Sequence, residues 1–288
     1  MLAMEIKMEG VSADYVIGPI RNSLVLQSID LQIESGSYSA IVGHTGAGKS
    51  SLLKTINGLL LPTAGKIEVG QDIIKQKNNK QALKNIRKKV GMVFQFPEAQ
   101  LFAETVEKDI CFGPLNFGVP LKQAQQIAKE VMQLVGLPLH LLNKSPHSLS
   151  GGQKRRVAIA GILAMEPEIL VLDEPGAGLD PKGKNEIMRL IKSLHQERNL
   201  TTILVTHDMD DVVHYADKII VMENGRIVRN GDLRSVFSDR LAIKKWHLDL
   251  PEAYQFQLEI EERTGMELPQ ICFTVDELAD ALMEVGLA

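Results

Sequence analysis

The run Gly43-His44-Thr45-Gly46-Ala47-Gly48-Lys49-Ser50 sets two glycines with four residues between them, followed at once by Lys and Ser. That pattern works in one local arrangement: a buried strand ending at the loop and a helix starting on its far side. The glycines let backbone N–H groups converge on phosphate oxygens, and the helix N-terminus adds its positive end. The flanks agree. Tyr38-Ser39-Ala40-Ile41-Val42 is a short apolar run, and Ser51 to Asn57 has helical spacing before Gly58 and Pro62 stop it. Lys49 is therefore expected at the β- and γ-phosphates of a nucleotide and the Ser50 hydroxyl at Mg²⁺. Gly43, His44, Thr45, Gly46, Ala47, Gly48 and Ser51 complete the expected cradle.

Beyond the loop, strand-like and helix-like runs alternate. Ile6 and Met8, then Ile29, Leu31 and Ile33, alternate as half-buried strands do; further strand runs fall at Lys66 to Val69, Val90 to Phe94, Ile169 to Leu172, Thr202 to Val205 and Lys218 to Met222. A helix over Pro181 to Arg198 separates two of them. The order predicts a mainly parallel sheet covered on both faces. Residues from about 97 to 165 read as a mostly helical lobe inserted between sheet strands, with an amphipathic stretch from Lys122 to Val135. The basic run over residues 75–89 reads as a solvated helix face, with a surface for an anionic partner as the alternative. After about residue 232 the motifs stop, and Thr274 with Glu277 forms a capping box before Leu278, Ala281 and Leu282. This gives a main domain over 1–232 and a small helical appendage over 233–288, suited to subunit packing.

The strand Ile169-Leu170-Val171-Leu172 ends in Asp173 and Glu174. A continuous apolar run marks a strand buried on both faces. It would deliver Asp173 to the metal and Glu174 to the water that attacks the γ-phosphate. Gln95 and His207 each follow a strand; alone, either residue type carries little information. Leu149-Ser150-Gly151-Gly152-Gln153 precedes a helix over Gln153 to Met165 and has no role in a single phosphate loop.

Composition narrows the partners. The chain of 288 residues is 44% hydrophobic and 24% charged, with a net charge of −4. That balance argues against a nucleic-acid partner, whose recognition draws on clustered positive charge. Two cysteines without a CxxC spacing suggest a reducing compartment and no metal cluster. No signal peptide is evident, and no run of about 18 uncharged apolar residues is present to span a bilayer.

Taken together, these motifs resemble the ATP-binding cassette (ABC) ATPases, and each appears once, in family order, between Tyr15 and His207. The resemblance implies a phosphate-loop nucleotide-binding domain with a parallel sheet core, an antiparallel β subdomain and a helical lobe. It also implies roles. Ser150, Gly151, Gly152 and Gln153 form the signature, which serves the nucleotide of a second cassette. Gln95 is the glutamine that touches Mg²⁺ and the attacking water, and His207 is the switch histidine at the γ-phosphate. Asp180 lies in the loop that crosses the dimer interface. Tyr15 is the aromatic platform for adenine, with a purely packing tyrosine as the alternative. Gly176 departs from the family, where Thr or Ser is usual.

The segment Phe94-Gln95-Phe96-Pro97-Glu98-Ala99-Gln100-Leu101-Phe102, continuing to Gly118, resembles the energy-coupling factor (ECF) importers. Phe96-Pro97-Glu98 looks like the vitamin-importing group, where metal importers tend to read Asn-Pro-Asp. The resemblance implies ATP and Mg²⁺ as ligands, a second and non-identical cassette, a transmembrane scaffold subunit and substrate-capture membrane subunits. It places the chain peripherally on the cytoplasmic membrane face. Glu98, Leu101 and Phe102 are the candidates for the scaffold-binding groove, with packing of Leu101 and Phe102 inside the helical lobe as the alternative. A metal-ion importer of the same family and a soluble assembly ATPase remain as alternatives, as does a homodimer.

Overall fold

The computed structural model describes residues 4–15, 25–78 and 80–287. In chain order the first half comprises β1 (Ile6–Ala13), β2 (Leu26–Ile33), β3 (Tyr38–Val42), α1 (Lys49–Ile56), β4 (Ala64–Val69), β5 (Asp72–Ile74), α2 (Lys80–Lys89), β6 (Val90–Val93), α3 (Val106–Asn116) and α4 (Leu121–Leu134). The second half comprises α5 (Gly151–Leu163), β7 (Ile169–Asp173), α6 (Pro181–Arg198), β8 (Thr201–Val205), α7 (Met209–Tyr215), β9 (Lys218–Glu223), β10 (Arg226–Asp232), α8 (Leu233–Phe237), α9 (Arg240–Lys245), α10 (Glu252–Thr264) and α11 (Val275–Glu284).

The strands form two sheets, a six-stranded one in the order β10-β9-β3-β8-β7-β6 and a four-stranded one in the order β2-β1-β4-β5. In the larger sheet β9, β3, β8, β7 and β6 run parallel, and β10 pairs antiparallel at the edge. The smaller sheet is antiparallel throughout. Every residue of β3, β7 and β8 is buried, as a parallel sheet covered on both faces requires. Alternation divides these strands between two cores. Ala40, Val42, Leu170, Leu172 and Leu204 join the helices of residues 106–163. Ile41, Ile169, Val171, Ile203 and Val205 join α1 and the antiparallel sheet. The parallel order sets β8 between β3 and β7, and the segments leaving the C-terminal ends of β3 and β7 meet.

The helix over Pro181 to Arg198 has the bounds its spacing predicts. Three elements carry no readable sequence pattern. β5 is only three residues long. β10 is an exposed edge strand without an apolar face. α7 has seven residues and is started by Asp208, whose side chain accepts from the backbone N–H groups of Asp210 and Asp211. In the basic run, α2 buries only Ile86. The capping box at Thr274 is half formed: Thr274 Oγ1 accepts from Glu277 N, but the Glu277 carboxylate turns to Phe273 N instead.

Beyond β10 lie α8 to α11, part of whose apolar side chains join the main core. Val236, Phe237, Ile243, Tyr254 and Phe273 pack into the cluster that includes α5 and α6, and Leu268, Cys272, Leu278 and Ala281 form a smaller cluster. Both cysteines are buried and free. No helix among the described residues is long and apolar enough to cross a membrane.

Candidate nucleotide site

Between β3 and α1 the glycines are required by close approach as well as by backbone sign. Gly43, at φ 143°, has no room for a side chain: a Cβ there would lie 2.2 Å from the carbonyl oxygen of Met222 on β9. Gly48, at φ 102°, would set a Cβ 2.8 Å from the Val25 carbonyl oxygen. The loop is thus wedged against the neighbouring strand and the entry to β2, and Ala47 O accepts from Gly225 N at 2.9 Å to close the wedge.

This loop floors a cavity of about 840 Å³ lined by Thr45, Gly46, Gly48, Lys49, Ser50 and Ser51 together with Gln95, Asp173, Glu174 and His207. Parallel pairing of β3, β8, β7 and β6 is what brings these groups together from four separate segments. Lys49 Nζ donates to the carbonyl oxygens of Gly43 at 2.6 Å and His44 at 3.1 Å. Burial pulls the Lys49 pKa below its ordinary value, although Glu174 and Asp173 pull it back. The Glu174 carboxylate accepts from Gln95 Nε2 at 3.1 Å on one oxygen and faces His207 Nδ1 at 3.2 Å on the other. Glu174 also has a left-handed backbone, φ 49°, a conformation that costs a non-glycine residue on the order of 1–3 kcal/mol. The Glu174 N–H donates to Val205 O at 2.9 Å and anchors that conformation to β8.

Burial raises the Asp173 carboxyl above the usual range against the pull of its hydrogen bond from Ser50. The group therefore costs stability when ionised: the penalty is absent below the ordinary carboxylate pKa and complete above the raised folded-state value. Asp173→Asn is accordingly expected to raise the melting temperature at neutral pH. The gain should shrink as pH falls through the folded-state pKa, while Mg²⁺-dependent hydrolysis is lost. A melting series from pH 4 to pH 8 checks it, and a variant less stable than the parent at neutral pH contradicts it.

Ser50 and Asp173 present two hard oxygen ligands at the cavity floor, and no group of three or more acidic, His or Cys side chains gathers among the described residues. That set suits Mg²⁺, which keeps waters and phosphate oxygens in its coordination sphere and needs few protein ligands.

The remaining expected residues lie elsewhere. Ser150, Gly151 and Gly152 are exposed, and Ser150 caps α5 in a full capping box with Gln153. A Cβ on Gly151 or Gly152 would meet nothing within 4 Å. Asp180 is exposed at the start of α6. None of these five lines the cavity. Tyr15 also stays out of the lining: its hydroxyl is 3.4 Å from Ser51 Oγ and its ring face takes the Lys54 ammonium at 5.5 Å. The cavity wall on that side is made by Val25, Gln27, Asn224 and Gly225.

Comparison with known proteins agrees with this geometry. Residues 26–177 match the family model described as ABC transporter. The chain is 49% identical over 282 residues to the energy-coupling factor transporter ATP-binding protein EcfA2 of Bacillus cereus, covering 98% of this chain and 96% of the relative. It is 52% identical over 260 residues to EcfA2 of Geobacillus kaustophilus, covering 90% of each. The chain belongs to the ABC transporter family, among the ECF ATP-binding proteins. Among solved structures, cbiO1 of Clostridium perfringens, part of the ABC transporter complex cbiONQ, is 36% identical with a TM-score of 0.72, covering 91% of this chain and 98% of that one. A dimeric post-hydrolysis structure of the ATP-binding cassette MJ0796 bound to ADP and Pi is 31% identical with a TM-score of 0.70, covering 80% of this chain and 99% of that one. This ABC ATPase accordingly binds and hydrolyses ATP in the service of transport.

Several residues of this ECF ATPase carry no sequence signal of their role. Arg155 on α5 is 1% exposed and donates to the Glu98 carboxylate and to the carbonyls of Pro175 and Ala177. Glu98, a groove candidate by sequence, therefore faces inward to Arg155. The family departure at Gly176 also has a physical reason. A Cβ there would come within 2.7 Å of Lys184 Cγ, and Lys184 is committed to Asp208 and to Asp211 at 2.8 Å. Finally, His247, Leu248 and Asp249, between α9 and α10, border a small cavity of about 170 Å³ with Lys49, Glu174 and His207.

Proposed function

We propose that two cassettes, this chain and a similar second one, close over two ATP molecules, each held by one chain's loop and covered by the other's signature. The observation that carries this reading is the pair of exposed glycines at the start of α5. Both glycines stand in the first turn of α5, directly after its cap Ser150, and nothing in this chain crowds Gly151 or Gly152. A close approach from outside explains why side chains are absent there. A capped helix N-terminus offers N–H groups and positive potential to a phosphate. The post-hydrolysis MJ0796 structure, dimeric and bound to ADP and Pi, supports the pairing of two cassettes.

Within each site Glu174 is the base that orients and activates water, held between Gln95 and His207. Lys49, His207 and the loop N–H groups stabilise charge on the transferred phosphoryl group. Ser50 and Asp173, with Gln95 nearby, are the residues that would hold Mg²⁺, which neutralises charge on the phosphate oxygens. Tyr15, outside the lining but beside Ser51, is the aromatic contact offered to adenine, with Ser51 a phosphate ligand and Asp180 an interface residue. Residues 1–232 act as the nucleotide-binding unit and 233–288 as an appendage that packs between subunits.

A transmembrane scaffold subunit docks on the helical lobe, which holds this chain on the cytoplasmic membrane face. Support comes from a shallow groove lined by Leu101, Phe102, Phe112 and Gly113. Phe102 is 63% exposed and meets Phe112, 49% exposed, edge-on at 4.9 Å, and an apolar surface at a groove fits a partner contact. The transported cargo is a vitamin or similar micronutrient, captured by separate membrane subunits. The segment Phe96-Pro97-Glu98 and the 49–52% identity to proteins named EcfA2 support this reading.

Affinity purification of the chain from detergent-solubilised membranes of its own source tests the assembly. A second cassette, a polytopic scaffold and several small membrane proteins are the expected companions. A purely soluble partner set would leave the ATPase chemistry in place and overturn the transport assembly.

A further inference from the structure

Arg155 closes a circuit through three segments that the site needs in register. It sits one turn into α5, the helix whose first turn carries Ser150 to Gln153. Its Nε donates to Glu98 Oε2 at 2.9 Å and its Nη2 to Glu98 Oε1 at 2.7 Å, a planar fork on one carboxylate. Its Nη1 donates to Ala177 O at 2.8 Å and Pro175 O at 3.1 Å. Glu98 lies three residues after Gln95, and Pro175 directly follows Glu174. Gln95 and Glu174 are themselves hydrogen-bonded. The circuit therefore runs from the signature helix to the glutamine segment, across to the base, and back through the carbonyls that follow the base.

Two further observations show that the circuit is tight. Phe96 and Glu174 both have left-handed backbones, at φ 55° and 49°. The Phe96 ring packs onto Gly178, where a Cβ would lie 2.9 Å from the ring. Burial works against charge on Glu98, yet Arg155 holds its carboxyl below the usual carboxylate range. A lysine in place of Arg155 would retain charge but not the fork and the paired carbonyl contacts.

We propose that Arg155 is a positioning residue that couples the two ATP sites, making Gln95 and Glu174 of one site follow the orientation of the signature helix engaged with the other. The proposal rests on the dimeric reading above. When the first turn of α5 shifts against a nucleotide held by the partner cassette, Arg155 transmits the shift to both sides of the Gln95–Glu174 contact.

The test is ATP hydrolysis by the assembled transporter across a range of ATP concentrations, for Arg155→Met, Arg155→Lys and Glu98→Gln. All three should lower kcat about tenfold or more with half-saturation within about twofold of the parent. The Hill coefficient should fall to about 1 from a larger parental value. Glu98→Gln preserves volume and one acceptor, so it remains informative if Arg155→Met fails to fold. Variants that only melt earlier, with kcat and cooperativity unchanged, would make the pair a structural one and overturn the proposal. A lowered kcat with cooperativity retained would confine Arg155 to its own site and overturn the coupling, as would a parental coefficient of one. ATP-dependent dimerisation of Glu174→Gln, followed separately by gel filtration, distinguishes failure of the dimeric reading from failure of the coupling.

Discussion

Glu174→Gln is expected to leave ATP bound and to reduce its hydrolysis by about 10²–10⁴-fold, the range that loss of a positioned general base produces. The substitution is nearly isosteric. It keeps an oxygen that can accept from Gln95 Nε2, which now donates at 3.1 Å. It removes the negative charge and basicity that would draw a proton from water, and it turns the contact with His207, now 3.2 Å from the other oxygen, into an amide contact. The Glu174 N–H to Val205 O bond is made by backbone and survives the change. Binding should therefore persist while the chemical step fails, so the nucleotide-closed state accumulates. Single-turnover hydrolysis, in a complex whose partner site is disabled, separates this site from its neighbour. Parental turnover there would remove Glu174 from the role of base.

The contrast between readable and unreadable parts of this site has a physical origin. The phosphate loop, Asp173 and Glu174 are legible because each stands at a fixed offset from a buried strand. The apolar runs over Tyr38 to Val42 and Ile169 to Leu172 survive as fully buried β3 and β7. Arg155 is not legible in that way. In sequence it is the middle member of Lys154-Arg155-Arg156, and nothing in that basic triplet marks one member as buried. Its burial depends on Glu98, 57 residues away, and on carbonyls 20 and 22 residues downstream. The same long-range dependence explains Glu98, which sequence reading turns toward the groove and the fold turns toward Arg155. Gly176 looks like a lapse in the motif until Lys184 is seen filling the space a side chain would need. His247 and Asp249 follow no motif, yet the packing of residues 233–288 onto the main core brings them beside His207 and Lys49. Glu252 N donates to Asp210 Oδ1 at 3.0 Å and fixes that loop to the start of α7. Local pattern reveals what strands and loops dictate; contacts between distant segments decide the rest.

Lys49→Ala should weaken ATP binding about 10–100-fold. Hydrogen bonds to charged groups contribute about 1.5–3 kcal/mol each, and about 1.4 kcal/mol is a factor of ten in affinity. Lys49 is the first residue of α1 and half-buried against the loop, with Nζ donating to Gly43 and His44 carbonyls. Those carbonyls leave the ammonium already seated over the cradle, so little side-chain freedom remains to be lost when phosphate binds. Alanine keeps the helix and the glycine geometry, because the wedge against Met222 and Val25 involves only Gly43 and Gly48. The loss should therefore appear in nucleotide affinity, read by equilibrium binding, and not in melting temperature without nucleotide. Lys49→Arg tests whether charge alone suffices. The guanidinium is wider and planar, and a pocket shaped by carbonyls at 2.6 and 3.1 Å leaves it poorly matched. It should restore part of the affinity and little of the turnover. Undiminished ATP affinity with normal turnover in Lys49→Ala would show that this loop is not where the triphosphate is held.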